Sequence, residues 1–260
     1  LSSRLLLSSP EGGVRLFELN RAERLNALDS ELVEELHAAL DDASLDRDCR
    51  VIILTGKGRA FSAGLDLAGF GSSPGADESD PLQWMFTGQK RLSGLVTHLR
   101  QTGPPVIAAV NGPAMGAGLG LVLGSDVRLA CPSSRFGTAF IKLGVSGCDI
   151  GVSWLLPRLV GAARAQELML TGREFDGEEA ARMGMVADLL PDEELLDGAL
   201  RIARVIAGYP AFAVAQTKEA MWAALEASTL QLGIDIENRQ QMMLASSGGL
   251  ADASRVFRAR

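Results

Sequence analysis

Pro105-Val106-Ile107-Ala108-Ala109-Val110-Asn111-Gly112-Pro113-Ala114-Met115-Gly116-Ala117-Gly118-Leu119-Gly120 runs from an apolar stretch straight into a glycine-rich segment. Val106 to Val110 is short, continuous and partly β-branched, which predicts a strand buried on both faces. Small apolar residues from Gly116 to Leu123 predict a helix that starts inside the glycine-rich segment. A helix start carries unpaired N–H groups and the positive end of the helix dipole, so it suits an anion. A second segment of this kind, Phe61-Ser62-Ala63-Gly64-Leu65-Asp66-Leu67, follows the apolar run Val51-Ile52-Ile53-Leu54-Thr55 and Gly56. Such segments can bring bare backbone N–H groups to a ligand oxygen. Two N–H groups meeting at one oxygen form an oxyanion hole, which points to enolate chemistry on a carbonyl.

Working outward, Val14 to Leu19 alternates apolar and polar residues and predicts a strand. Asp29-Ser30 caps a predicted helix over 31–43, with Leu32, Leu36, Ala39 and Leu40 on one face. Val127 to Ala130 is a further strand, and helical periodicity fills 82–99. Strands alternating with helices predict parallel pairing and an α/β core. Residues 69–80 have loop composition and are expected to be poorly ordered without ligand. From 192 onward the pattern is helical, over 192–207, 211–226, 229–246 and 250–258. The chain therefore divides into an α/β core, 1–191, and a helical region, 192–260.

With 260 residues, 47% apolar and 22% charged, the chain has the composition of an ordinary globular protein. A net charge of −7 argues against a nucleic-acid partner. Three scattered cysteines, Cys49, Cys131 and Cys148, fit a reducing, cytoplasmic setting rather than a disulfide framework. Two histidines, His37 and His98, make a histidine-rich metal site improbable on numbers alone. No apolar run reaches the ~18 residues of a membrane span, and Leu5-Leu6-Leu7 is too short for a signal core.

Together the motifs resemble the crotonase (enoyl-CoA hydratase/isomerase) superfamily over nearly the whole chain. Asn20-Arg21-Ala22-Glu23-Arg24-Leu25-Asn26-Ala27-Leu28 is similar to its entry segment, and the two glycine-rich segments quoted above to its F-x-A-G-x-D-[IL] and P-V-I-A-A-[VI]-N-G motifs. Leu155-Leu156-Pro157-Arg158-Leu159-Val160-Gly161 and Leu170-Thr171-Gly172-Arg173 match further family segments. The resemblance implies repeated ββα units with a C-terminal helical region that builds homotrimers or hexamers. It implies an acyl-CoA thioester substrate and no separate cofactor, coenzyme A being part of the substrate. It places the oxyanion donors at the N–H groups of Leu65 and Ala117. Arg24 and the stretch Ala60, Ala63, Gly64, Leu65 and Asp66, with Gly116 and Phe140, would bind the substrate and its coenzyme A. Phe257 and Arg260 match residues that contact coenzyme A, often from a neighbouring subunit. Arg260 reads equally well as a solvated terminal charge.

The chain departs from the hydratases at both of their catalytic glutamates. The positions that match them are Gly120 and Phe140, and neither can move a proton. Asp149 matches the aspartate of dienoyl-CoA and aromatic-ring isomerases, with one extra residue after Gly144. A single carboxylate is enough for a 1,3-proton shift, and a desolvated one has a raised pKa suited to it. The plainer reading of Asp149 is a cap for the helix that begins near Gly151. Isomerisation of an unsaturated acyl-CoA through Asp149 is the favoured expectation. Variant hydration, thioester hydrolysis and non-catalytic acyl-CoA binding are the alternatives. Glu167 reads as a packing-helix residue, and His98 as a helix C-terminal residue facing the dipole. Asp66 reads as a turn residue and Asp126 as a strand-entry residue. Trp84 and Phe86 are either core or acyl-pocket aromatics.

Overall fold

The computed structural model describes residues 3–68 and 80–246. The predicted 250–258 helix, Phe257, Arg260 and nearly all of the 69–80 loop lie outside the described residues.

The chain starts with an antiparallel pair, β1 (Leu5–Glu11) and β2 (Val14–Leu19), followed by α1 (Ser30–Leu45). β1 contains the short apolar run Leu5-Leu6-Leu7, which the sequence pattern alone does not mark as a strand. β3 (Val51–Gly56) and α2 (Pro81–Gln101) come next, then β4 (Val106–Val110), β5 (Pro113–Met115) and α3 (Ala117–Gly124). After β6 (Val127–Ala130) and β7 (Arg135–Gly137) come α4 (Val152–Val160) and α5 (Ala162–Thr171). β8 (Phe175–Asp176), α6 (Gly177–Arg182) and β9 (Asp188–Leu189) follow. The chain then continues into α7 (Leu195–Ala207), α8 (Ala211–Glu226) and α9 (Leu230–Ser246). The succession β1-β2-α1 and again β4-β5-α3 is the ββα repeat.

A six-stranded sheet runs β1-β2-β3-β4-β6-β9, parallel from β2 onward, and a three-stranded sheet runs β5-β7-β8. Alternation along the parallel strands splits their side chains between two cores. Phe17, Ile52, Leu54, Val106 and Ala108 face α1 and α2, which offer Leu32, Leu36, Leu40, Leu92, Leu95 and Leu99. Val14, Val51, Ile53, Ile107 and Ala109 face the opposite way and meet Leu195, Ala199 and Ala203 of α7. Because strands buried on both faces need cover on both, α7 is built into the core although it lies within the 192–260 region. By contrast, α9 buries no residue in the single chain.

Candidate active site

The ends of β3 and β4 are tied together by one side chain. Asn111 donates from Nδ2 to the carbonyls of Gly56 (2.7 Å) and Gly58 (2.9 Å), and its Oδ1 accepts from the Gly56 N–H (3.1 Å). Asn26 does the same for the entry segment. It accepts from the Arg21 N–H and donates to the carbonyls of Lys57 and Ala60. These two amides satisfy the backbone groups freed where the strands end.

With the ends tied, the two glycine-rich segments pair directly. The Ser62 N–H donates to the Pro113 carbonyl, and the Met115 N–H donates to the Ser62 carbonyl, each at 2.9 Å. On its other side the first segment pairs with the entry segment. Ala63 donates to Leu25, Leu28 to Gly64 and Asp66 to Leu28. This parallel bridge turns the Leu65 N–H away from Leu28, since bridge partners alternate in direction. Gly64 has φ +91°, and a β-carbon there would sit 2.6 Å from the Met115 carbonyl oxygen and 3.3 Å from the Ala117 nitrogen. Only glycine allows this approach.

Ala117 opens α3, whose N-cap, Gly116, supplies no side-chain cap. Among the described residues, neither the Leu65 nor the Ala117 N–H has an acceptor within the chain. Ala117 is nevertheless 1% exposed. A buried helix start without partners is a place where a ligand oxygen completes the hydrogen bonding.

The positions matching the hydratase glutamates are apolar. Phe140 is buried, and its ring lies against Gly116, 3.3 Å from where a β-carbon there would sit. Gly120, one turn along α3, faces Ile150. Left-handed residues flank both polypeptide turns on this side: Ala139 (φ 55°) precedes Phe140, and Ile150 (φ 50°) follows Asp149. That conformation is costly for a β-branched residue and persists only where packing holds it.

Asp149 is half-buried. Its Oδ1 accepts from Gln89 Nε2 (2.6 Å) and from the Ile150 N–H (2.7 Å). Burial raises its pKa above the usual 3.8, against the lowering effect of those two donors. The expected cap is not formed. Gly151 is the N-cap of α4, and it is the Asp149 backbone carbonyl that accepts from Val152. The Asp149 carboxylate points instead toward α2, because the left-handed turn at Ile150 and Gly151 separates it from the helix start.

The remaining sequence candidates have structural partners. Asp66 pairs with Arg21 (2.8 Å) and accepts from the Ala68 N–H, so its turn role is accompanied by an ion pair. Arg24 is exposed at the end of a short 3-10 turn, and Ala60 is buried with its carbonyl held by Asn26. Glu167 pairs with Arg173 on the surface, which holds its carboxyl below the usual range. Phe86 is 59% exposed under the Lys90 ammonium, so it is not core, and Trp84 is half-buried. His98 faces more than a helix dipole: its Nδ1 lies 2.8 Å from His37 Nδ1 and its Nε2 lies 3.2 Å from Asp41. Asp126 is a buried anchor, taking Val106 N–H, Trp222 Nε1 and Lys218 Nζ. Among the described residues no group of three or more His, Cys, Asp or Glu side chains is placed to hold a metal ion. Gln89 and Ile150 carried no signal in the sequence, since Gln89 meets Asp149 across 60 residues and the Ile150 side chain meets Gly120 only in the folded chain.

Known proteins share this fold and much of this sequence. Residues 9–251 match the family model described as "Enoyl-CoA hydratase/isomerase". A probable enoyl-CoA hydratase of Mycobacterium tuberculosis is 38% identical over 242 residues, covering 93% of this chain and 85% of that protein. The 1,2-epoxyphenylacetyl-CoA isomerase of Escherichia coli is 38% identical over 256 residues, covering 98% and 95%. The crystal structure of a probable enoyl-CoA hydratase/isomerase from Mycobacterium abscessus superposes with a TM-score of 0.91 at 33% identity, covering 99% of this chain and 97% of that one.

Proposed function

Because this chain belongs to the enoyl-CoA hydratase/isomerase (crotonase) superfamily, we propose that it isomerises an unsaturated acyl-CoA, with Asp149 as the proton shuttle. The observation that carries this reading is the composition of the site around α3. Gly120, covered by Ile150, and Phe140 stand at the positions that match the two hydratase glutamates, and Asp149 is the carboxylate adjoining Ile150.

The thioester oxygen accepts from the N–H groups of Leu65 and Ala117. The Asp149 carboxylate removes a proton from one carbon of the acyl chain. The C–H electron pair moves into an enolate whose charge rests on the thioester oxygen, where the two donors stabilise it. The same carboxyl returns the proton to a carbon two positions away, and the electron pair settles as the shifted double bond. No atom enters or leaves, and the thioester stays intact. The raised pKa of Asp149 brings its carboxyl closer to the range in which it both takes and releases a proton. The Escherichia coli relative, named for isomerising 1,2-epoxyphenylacetyl-CoA, supports isomerisation of a CoA thioester in general, while the Mycobacterium tuberculosis relative is named for hydration.

Crotonyl-CoA, a 3-enoyl-CoA and a dienoyl-CoA offered to the purified protein separate the possibilities. Turnover of the 3-enoyl or dienoyl substrate that is lost in Asp149→Asn is expected. Robust hydration of crotonyl-CoA, release of free thiol, or tight acyl-CoA binding without turnover would each overturn the isomerase reading.

The assembly we propose is a trimer, or a pair of trimers, built through the C-terminal helices. Met221 and Leu225 of α8 and Leu232, Met242 and Met243 of α9 are exposed in the single chain, an apolar surface that association would cover.

A further inference from the structure

Resting on the isomerase reading, we propose that Gln89 is the positioning residue for Asp149, fixing one carboxylate oxygen so that the other carries the proton. Gln89 comes from α2, 60 residues before its partner. Its amide nitrogen lies 2.6 Å from Oδ1, and the Ile150 N–H meets the same oxygen at 2.7 Å. Two donors on one oxygen stop the carboxylate from rotating about its Cβ–Cγ bond. Among the described residues Oδ2 accepts no hydrogen bond, so it is the oxygen left to receive a proton.

The helix that presents Gln89 is itself held. Leu92 and Leu95 are buried, and Arg91 makes a two-pronged pair with Glu34 of α1 at 2.6 and 2.7 Å. Charged groups on the neighbouring elements are engaged elsewhere. Lys90 lies over Phe86, Arg158 stacks on Trp154, and Lys142 lies near Glu174. Among the described residues, the groups acting directly on the Asp149 carboxyl are the Gln89 and Ile150 donors. Both favour its ionised form and partly offset desolvation.

The test compares wild type with Gln89→Leu and Gln89→Glu, using pH–rate profiles and titration of the Asp149 carboxyl carbon by NMR. Gln89→Leu keeps the helix and removes the donor. Gln89→Glu keeps the shape, removes the donor and adds like charge. In Gln89→Leu the acid limb of kcat/KM and the carboxyl titration should both move up by about one pH unit. Its kcat should fall about tenfold with KM changed less than about twofold, and Gln89→Glu should move the titration at least as far. Turnover that depends on Asp149 but keeps its acid limb in Gln89→Leu would overturn the role of Gln89 and leave the isomerase reading intact. An Asp149 titration that does not move in either variant would overturn it as well. Turnover that survives Asp149→Asn would instead remove the isomerase reading, and with it this inference.

Discussion

Ile150 occupies the space above Gly120: a β-carbon at residue 120 would lie 2.9 Å from Ile150 Cγ2. Alanine in a helix interior usually gains up to about 1 kcal/mol over glycine. Overpacking a filled site costs about 1–3 kcal/mol, so the clash should win and Gly120→Ala should be destabilised. With Ile150→Ala as background, the same substitution should become neutral or stabilising. A double-mutant cycle by chemical denaturation measures this coupling, and additive single effects would refute it. Gly120→Glu alone should fail to introduce hydration, because the side chain has no room to enter.

Asp149→Asn should be at least as stable as wild type at neutral pH while losing activity about 10²-fold or more. Burial raises the folded-state pKa of this carboxyl, so folding prefers its protonated form. The stability it contributes is present below the unfolded value near 3.8 and is lost as pH rises through the raised folded value. At neutral pH the ionised carboxylate therefore costs stability, and asparagine removes that cost. Thermal melts at neutral pH test the sign; a clear drop in Tm would contradict it. In wild type the acid limb of kcat/KM should fall above the ordinary aspartate value.

His37 and His98 link α1 to α2, their Nδ1 atoms 2.8 Å apart and their rings stacked. The Arg91 carbonyl, 3.0 Å from His37 Nε2, can only accept, so that nitrogen carries the proton and Nδ1 accepts from His98. Protonating His37 puts two donors face to face. Desolvation lowers its pKa from 6.5, so its contribution is complete above that value and is lost as pH falls toward the folded value. Stability should decline as pH falls below about 6.5, and His37→Gln should flatten that decline. Denaturation midpoints across this range decide the matter.

Lys218 and Asp126 are each 4% exposed at the side chain and lie 2.9 Å apart. The ammonium also donates to the carbonyls of Leu99 and Pro104, which seats α8 on the α2–β4 connection. Lys218→Met leaves a buried carboxylate without its counter-charge and should cost about 3–5 kcal/mol. Adding Asp126→Asn should recover part of that loss. A single-variant cost below about 1 kcal/mol would show the pair to be energetically idle.

If α9 supports the subunit contacts, Leu232→Glu with Met243→Glu should reduce the oligomer seen by light scattering and leave the far-ultraviolet circular dichroism nearly unchanged. Both residues are exposed in the single chain, so their replacement disturbs no described core contact. An unchanged mass would place the contacts elsewhere.

β3 and β4 were legible because each is a short apolar run, one closed by Gly56 and the other set between Pro105 and Asn111, and burial on both faces writes itself locally; β9, two residues long, is too short to leave such a signal. The glycine-rich segments were legible for a similar reason: close backbone approach demands missing side chains, and missing side chains are visible one residue at a time. β1 escaped notice because four of its seven residues are exposed on an edge strand, which weakens the apolar signal. What only the tertiary structure decided is which side chains meet. Gln89 reaches Asp149 across 60 residues, Lys218 reaches Asp126 across 92 (218 − 126), and His37 reaches His98 across 61. The carboxylate of Asp149 turns to α2 rather than capping α4 because Ile150 and Gly151 are left-handed. The sequence by itself determined where an oxygen-binding backbone can form, since that depends on residues adjacent in the chain. The neighbours of that backbone depend on how helices are set against the sheet, and that is decided only when the two cores pack.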